Sequence, residues 1–318
     1  MTATILTPAH ADAMVRVAER AAIAAQMLAG RGDEMAADQA AVDAMRTALN
    51  EIEMRGRIVI GEGERDEAPM LFIGEEVGTG NGPEIDIALD PLEGTTLTAK
   101  AMPDALTVIA CAPRDGLLYA PDVYMDKIAV GPGLPDGIVD LDMSIADNVN
   151  ALADAKGVSV DQLNVCVLDR PRHQKIIFDL REMGVRIKLI TDGDIAGVIA
   201  TTDPTTCIDL YMGSGGAPEG VLAAAALKCV GGQIQGRLIF RNDDEKTRAK
   251  RMGIKDFDKK YDLQDMCSKD VIFAATGVTS GNLLNGVKRV GDKIHTQSLV
   301  MSSFDGVVRT VTSVTPVS

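Results

Sequence analysis

The sequence predicts an α/β protein of two abutting subdomains, an N-terminal α+β part over residues 1–141 and a C-terminal α/β part over 142–318. Three observations carry this. Apolar residues recur at helical spacing through roughly the first fifty residues. From Arg57 to "KIAVGPG", strand-like runs follow one another without steady helical interruption. After "GPGLPDG" strands and helices alternate, the rhythm of a part-parallel sheet. A chain of 318 residues has room for two ordinary cores.

In "AMVRVAERAAIAAQML" the apolar positions 14, 17/18, 21, 25 and 28 form one helical face. "RGD" breaks this helix, and Asp33 caps a second over about 34–53. Strands are expected in "RIVIGEGE", "EIDIALD", "ALTVIACA", "GLLYAP" and "KIAVGPG". Within "IDIALDPLEGTT", Ile85, Ile87 and Leu89 keep period two, Asp90 stands where the strand stops, and Pro91 and Gly94 force a turn. Thr95 or Thr96 then caps a short helix through "TLTAKAM". Beyond residue 142 the order is a helix from Ser144, strand "NVCVLD", helix 172–183, strand "VRIKLIT", helix 194–200, strand "CIDLYMG" ending in a glycine-rich turn, and a helix opening on Pro218. A charged helix in "RNDDEKTRAKRMG", the strand "DVIFAAT" and short strands to Val314 close the chain.

Hydrophobic residues make up 46% and charged residues 25%, the profile of a soluble globular protein. With 3% aromatics and no Trp, alanine, methionine and glycine fill the apolar quota, and close helix packing follows. A net charge of −14 disfavours nucleic acid and anionic membrane as partners, since affinity there rests on clustered Lys and Arg. A phosphorylated substrate remains compatible, because acidic side chains holding metal ions present positive charge to phosphate. The cysteines at 111, 166, 207, 229 and 267 form no CxxC pair and read as free thiols. Without a signal-type N-terminus or a membrane-spanning run, a cytoplasmic protein is expected.

Carboxylates gather at three places. Asp38 shares a helical stripe with Val42, Met45, Leu49 and Ile52, whereas Asp43 points away. Asp38 therefore serves the helix dipole, or is paired or metal-bound in a core-facing position. "IVIGEGERDEAPM" runs from an apolar strand straight into Glu62, Glu64, Asp66 and Glu67, either an exposed acidic loop or a cation site. In "YMGSGGAPEG" glycines precede a helix whose first turn carries Glu219, an arrangement open to a phosphate cradle but lacking the P-loop Lys-Ser/Thr. Asp90 and Glu93, three apart beside a hydroxyl, suit a divalent cation together with an anionic ligand. His10 and His295 read as bystanders, and Arg172 beside His173 is the better phosphate ligand.

"AADQAAVDAMR", "IVIGEGERDEAPM", "DPLEGTT", "APDVYM", "RPRH", "TDGD" and "GGAPEG" together resemble the bacterial class II fructose-1,6-bisphosphatases, members of the lithium-sensitive, metal-dependent sugar and inositol phosphatase superfamily. The resemblance covers essentially the whole chain and implies a layered α/β/α/β/α sandwich of two subdomains, the sugar phosphatase fold. It implies hydrolysis of the 1-phosphate of fructose 1,6-bisphosphate, as in gluconeogenesis and Calvin-cycle-type metabolism, with sedoheptulose 1,7-bisphosphate as a second substrate. It places two or three Mn²⁺ or Mg²⁺ ions on Asp38, Glu62, Asp90, Glu93 and Glu219. Substrate contacts would fall on Glu93, Gly94, Thr95, Tyr124, Arg170, Pro171, Arg172, Asp192, Gly193, Asp194 and Gly216. Thr95 would orient or activate the nucleophile, Asp66 or Glu67 would accept its proton, and the chain would form a homodimer or homotetramer. Members of the family carry lysine after "RGD" where this chain has Glu34, so no cationic phosphate contact is expected from that loop. A non-catalytic binding module has no need of carboxylates at five separated places.

Overall fold

Thr7 and Pro8 open the first helix, because a proline's missing N–H falls where a helix has no acceptor for it. The computed structural model describes residues 5–63 and 70–317. Helix α1 (Pro8–Gln26) buries Ala18, Ala21, Ala22 and Ala25 and packs on α2 (Glu34–Leu49), the close approach expected of so alanine-rich a face. Asp33 caps α2 by accepting the Ala36 N–H at 3.0 Å. The helix stops at Leu49, short of the expected 53, and Ile52 reaches the same core from beyond its end.

Strands β1 (Arg55–Ile60), β2 (Glu76–Val77) and β3 (Glu84–Glu93) follow, then α3 (Thr95–Ala99) and β4 (Leu106–Pro113). Strand β3 runs parallel to β1 and antiparallel to β4. It does not stop at Asp90 as expected. It continues through Pro91 to Glu93 with its register shifted against β4 between Asp90 and Glu93. A bulge of this kind admits a proline, which has no ladder donor to lose, and Asp90 Oδ1 accepts the Leu92 N–H at 3.0 Å. Neither threonine caps α3. Gly94 does so from φ 88°, ψ 52°, a left-handed conformation that favours glycine, and Thr95 is the first helical residue. "GLLYAP" forms no ladder strand; Leu117 and Ala120 are buried in an irregular segment.

The second unit is built from β5 (Tyr124–Val130), α4 (Ile145–Lys156), β6 (Asn164–Leu168), α5 (Gln174–Glu182) after a 3-10 turn at Pro171–His173, β7 (Arg186–Ile190), α6 (Asp194–Ile199), β8 (Leu210–Gly216), α7 (Ala217–Val230), β9 (Gln233–Ile239), α8 (Asp243–Arg251), β10 (Lys260–Asp262) and α9 (Leu263–Met266). Its sheet has the order β10-β9-β5-β8-β6-β7. Only the β6–β7 and β6–β8 pairs are parallel, the part-parallel sheet expected. Helix α7 is buried on all sides, as its run of alanines and leucines requires. "GSGG" is no turn: Gly213, Ser214, Gly215 and Gly216 complete β8 and pair with Lys127, Asp126, Met125 and Tyr124 of β5.

The chain then returns to the first sheet through β11 (Ile272–Gly277), β12 (Lys288–Val290), β13 (Lys293–Ser302) and β14 (Val308–Pro316). The first sheet's order among the described residues is β12-β13-β11-β4-β3-β1-β2, with β14 also on β13. The last two strands are long, not short. The compact units are therefore Met1–Leu118 with Ser268–Ser318, and Tyr119–Cys267, rather than halves meeting at 141/142. The reason is hydrogen bonding: β5 pairs with β8 and β9, while β11 pairs with β4. None of the five cysteines forms a disulfide, and Cys207 alone is exposed. No described helix is long and apolar enough to cross a membrane.

Candidate active site

In the first unit, three elements bring carboxylates together. Asp38 lies in the second turn of α2, half-buried, and Asp43 faces solvent as expected. Glu62 follows β1 at Gly61, where a Cβ would overlap the Leu71 carbonyl, and its N–H donates to that carbonyl at 3.1 Å. Asp90 and Glu93 flank the bulge of β3, each with a carboxylate oxygen within 4.8 Å of the other's. Burial, with the charges of Asp90 and Asp38 close by, pushes the Glu62 carboxyl up to about 8. Burial also raises Asp38, which shares a hydrogen bond with Glu62. Carboxylates so crowded hold a proton between them or a cation.

The second unit carries a basic and aromatic cluster. Arg172 donates from Nη2 to the Ser214 carbonyl at 2.7 Å and from Nε to the Ser214 hydroxyl at 3.0 Å. Its guanidinium lies 4.8 Å from the centre of the Tyr124 ring, and that of Arg241 lies 5.1 Å from the same ring. Buried His173 holds the platform from below. Its Nδ1–H donates to the Leu168 carbonyl at 2.8 Å, and its Nε2 accepts the Ser214 N–H at 2.8 Å. Burial keeps this imidazole below its ordinary value. Arg170 stands 3.9 Å from Asp192, and Gly193 turns the chain at φ 80° into α6. Asp194, buried at the start of α6, is bound by the ammonium of Lys127. Gly215 has no space for a side chain because Asp194 fills it, and Gly216 has none because Glu219 folds over it.

Residues 9–315 match the family described as bacterial fructose-1,6-bisphosphatase, glpX-encoded. The D-fructose 1,6-bisphosphatase class 2/sedoheptulose 1,7-bisphosphatase of Synechococcus sp. (strain CC9605) is 45% identical over 310 residues, 93% of this chain and 92% of its own. The fructose-1,6-bisphosphatase 1 class 2 of Escherichia coli (strain K12) is 44% identical over 313 residues, 94% of this chain and 93% of its own. This chain belongs to that family. Among solved structures, the extragenic suppressor protein suhB from Bartonella henselae aligns with 62% of this chain and 75% of its own, at 15% identity and a TM-score of 0.34.

Membership implies dependence on a divalent metal, and the donor set fits. Asp38, Glu62, Asp90 and Glu93 offer oxygen alone, the preference of a hard cation, and their mutual repulsion is relieved by one. Asp66 and Glu67 lie outside the described residues. Glu34 is exposed in the first turn of α2. Two further residues belong to the cluster of the second unit, Arg241 over the Tyr124 ring and Lys127 on Asp194. In the sequence Arg241 is indistinct within a charged run, whereas Lys127 is visible as an isolated lysine in an apolar strand.

Proposed function

We propose that this chain hydrolyses the 1-phosphate of fructose 1,6-bisphosphate to fructose 6-phosphate and that it also accepts sedoheptulose 1,7-bisphosphate. The observation that carries the reading is the crowding of Asp38, Glu62 and Asp90, with Glu62 held up to about 8 by burial and by its two neighbours. Support comes from relatives 44–45% identical over nearly their whole length, the Synechococcus protein named for both bisphosphatase activities and the Escherichia coli protein for the first.

Asp38, Glu62, Asp90, Glu93 and Glu219 would hold two or three Mg²⁺ or Mn²⁺ ions. Bound there, the ions would supply Lewis acidity toward the phosphoryl oxygens and lower the pKa of the attacking oxygen. Thr95, which opens α3 two residues after Glu93, would orient the nucleophile, and Asp66 or Glu67 would take its proton. Arg172 is pinned by a carbonyl and a hydroxyl rather than by a carboxylate, so its charge stays available to the phosphate that is not cleaved. Tyr124 would close over that phosphate. Arg170, Pro171, Asp192, Gly193, Asp194, Gly216 and Gly94 would shape the sugar subsite. We place the enzyme in the cytoplasm as a homodimer or homotetramer.

The test is phosphate release from fructose 1,6-bisphosphate with Mn²⁺, repeated after EDTA. Release that stops with EDTA and returns with Mn²⁺ is expected. Metal-independent release, or none with any divalent cation, would refute the reading.

A further inference from the structure

We propose that Lys127 is a positioning residue for Glu219, fixing the direction in which the first turn of α7 presents that carboxylate. The proposal rests on the reading of Glu219 as a metal ligand and adds the residue that aims it.

Lys127 sits in the middle of β5, opposite Gly213 of β8, with its side chain 1% exposed. A lysine is almost never buried this fully without a partner. Its ammonium donates to Asp194 Oδ2, and also to the Gly216 carbonyl at 2.8 Å. The Tyr211 hydroxyl donates to the same Asp194 oxygen at 3.5 Å. Gly216 is the cap of α7, and Glu219 lies in its first turn.

The lysine touches both sides of that turn. A Cβ on Gly215 would come within 3.1 Å of Lys127 Nζ, and one on Gly220 within 3.3 Å of Lys127 Cδ. Glu219 folds back over Gly216 between these two glycines. The "GSGG" and "PEG" glycines thus make way for side chains of the protein itself, rather than cradling a phosphate. Here the turn is held from beneath by one ammonium that joins the start of α6, through Asp194, to the start of α7, through Gly216.

Stability alone does not account for a lysine here. A cation near a helix N-terminus is opposed by the helix dipole, and a buried ion pair gains little over an apolar side chain of equal length. What methionine cannot do is divide several donors between a carboxylate and a carbonyl on different elements. That division fixes the helix start, and a ligand carboxylate needs such a fixed base to meet a metal at one distance and angle.

The test is a double-variant cycle read by calorimetric Mn²⁺ binding on the full-length protein without substrate, with folding checked by circular dichroism. Lys127→Met alone should weaken Mn²⁺ binding by about 10–100-fold, the effect of losing an outer hydrogen bond to a metal site. In a Glu219→Gln background it should change the affinity by no more than about twofold, since the carboxylate it aims is gone. Equal losses in both backgrounds, or no loss in either, would overturn the proposal and leave Lys127 a structural residue. Should Lys127→Met not fold, Lys127→Arg takes its place in the cycle, and the same non-additivity is required. Wild-type Mn²⁺ affinity in Glu219→Gln alone would overturn the ligand set itself, a result read before the lysine is considered.

Discussion

Replacing His173 with leucine probes how the platform under Arg172 is held. Strands β6 and β8 pair only at Val165–Leu210 and Cys166–Tyr211 and then part. Past that point the imidazole takes over, accepting the Ser214 N–H at 2.8 Å on Nε2. The Ser214 hydroxyl lies 3.1 Å from the same nitrogen while receiving Arg172 Nε at 3.0 Å. Leucine fills most of the ring's volume but leaves the Ser214 N–H buried without an acceptor, at roughly 1–3 kcal/mol. The Leu168 carbonyl keeps the Arg170 N–H at 2.9 Å, so its loss is smaller. The sum is about 2 kcal/mol, or roughly a thirtyfold change in the unfolding constant. Urea denaturation should show a lower midpoint at unchanged slope, and KM for the bisphosphate should rise by up to about tenfold as Ser214 loosens under Arg172.

Acid gives an independent arm. Burial holds the folded His173 below its ordinary value of 6.5, so the unfolded chain takes up the proton first as pH falls. His173 therefore contributes full stability above pH 6.5 and loses it progressively as pH falls from there toward the folded value. Across that window the wild type should lose more stability than His173→Leu. A variant within about 0.5 kcal/mol of wild type, with unchanged KM and an identical acid profile, would refute this reasoning.

Other substitutions test the remaining parts. Asp38→Ala should abolish Mn²⁺-dependent phosphate release while circular dichroism remains that of the folded protein, and near wild-type turnover at saturating Mn²⁺ would remove Asp38 from the ligand set. Arg172→Ala should raise KM for the bisphosphate and leave kcat largely intact, the signature of uniform binding to the phosphate that is not cleaved. A collapse of kcat with KM held would place Arg172 at the reacting phosphate instead. Thr95→Ser should keep substantial activity, whereas nearly isosteric Thr95→Val should lose on the order of 10²-fold in kcat with metal affinity unchanged, the scale of one acid–base role. Normal hydrolysis by Thr95→Val would leave that threonine a helix-forming residue only.

Much of this molecule is legible in the linear chain. The alanine-rich stripe of α1, the Asp33 cap of α2 and the period-two run through Ile85, Ile87 and Leu89 each follow from spacing and local propensity, because neighbours in sequence generate them. Asp38 is legible for a similar reason, as a carboxylate on an apolar stripe, and it is half-buried. The family is legible because its motifs are contiguous in the chain.

What escaped local reading depends on partners distant along the chain. Pro91 and Gly94 both look like turn residues, yet only one makes a turn: pairing with β4 across a bulge carries the strand through the proline to Glu93. Gly213 to Gly216 resemble a phosphate loop, yet they form a strand, because β5 supplies a ladder and Asp194 and Glu219 occupy the space beside two of these glycines. The boundary between the units was invisible for the same reason, since β11 pairs with β4, more than half the chain earlier. Periodicity records which face of an element is apolar. It carries no record of which other element covers that face, or of which buried side chain claims the room left by a missing Cβ.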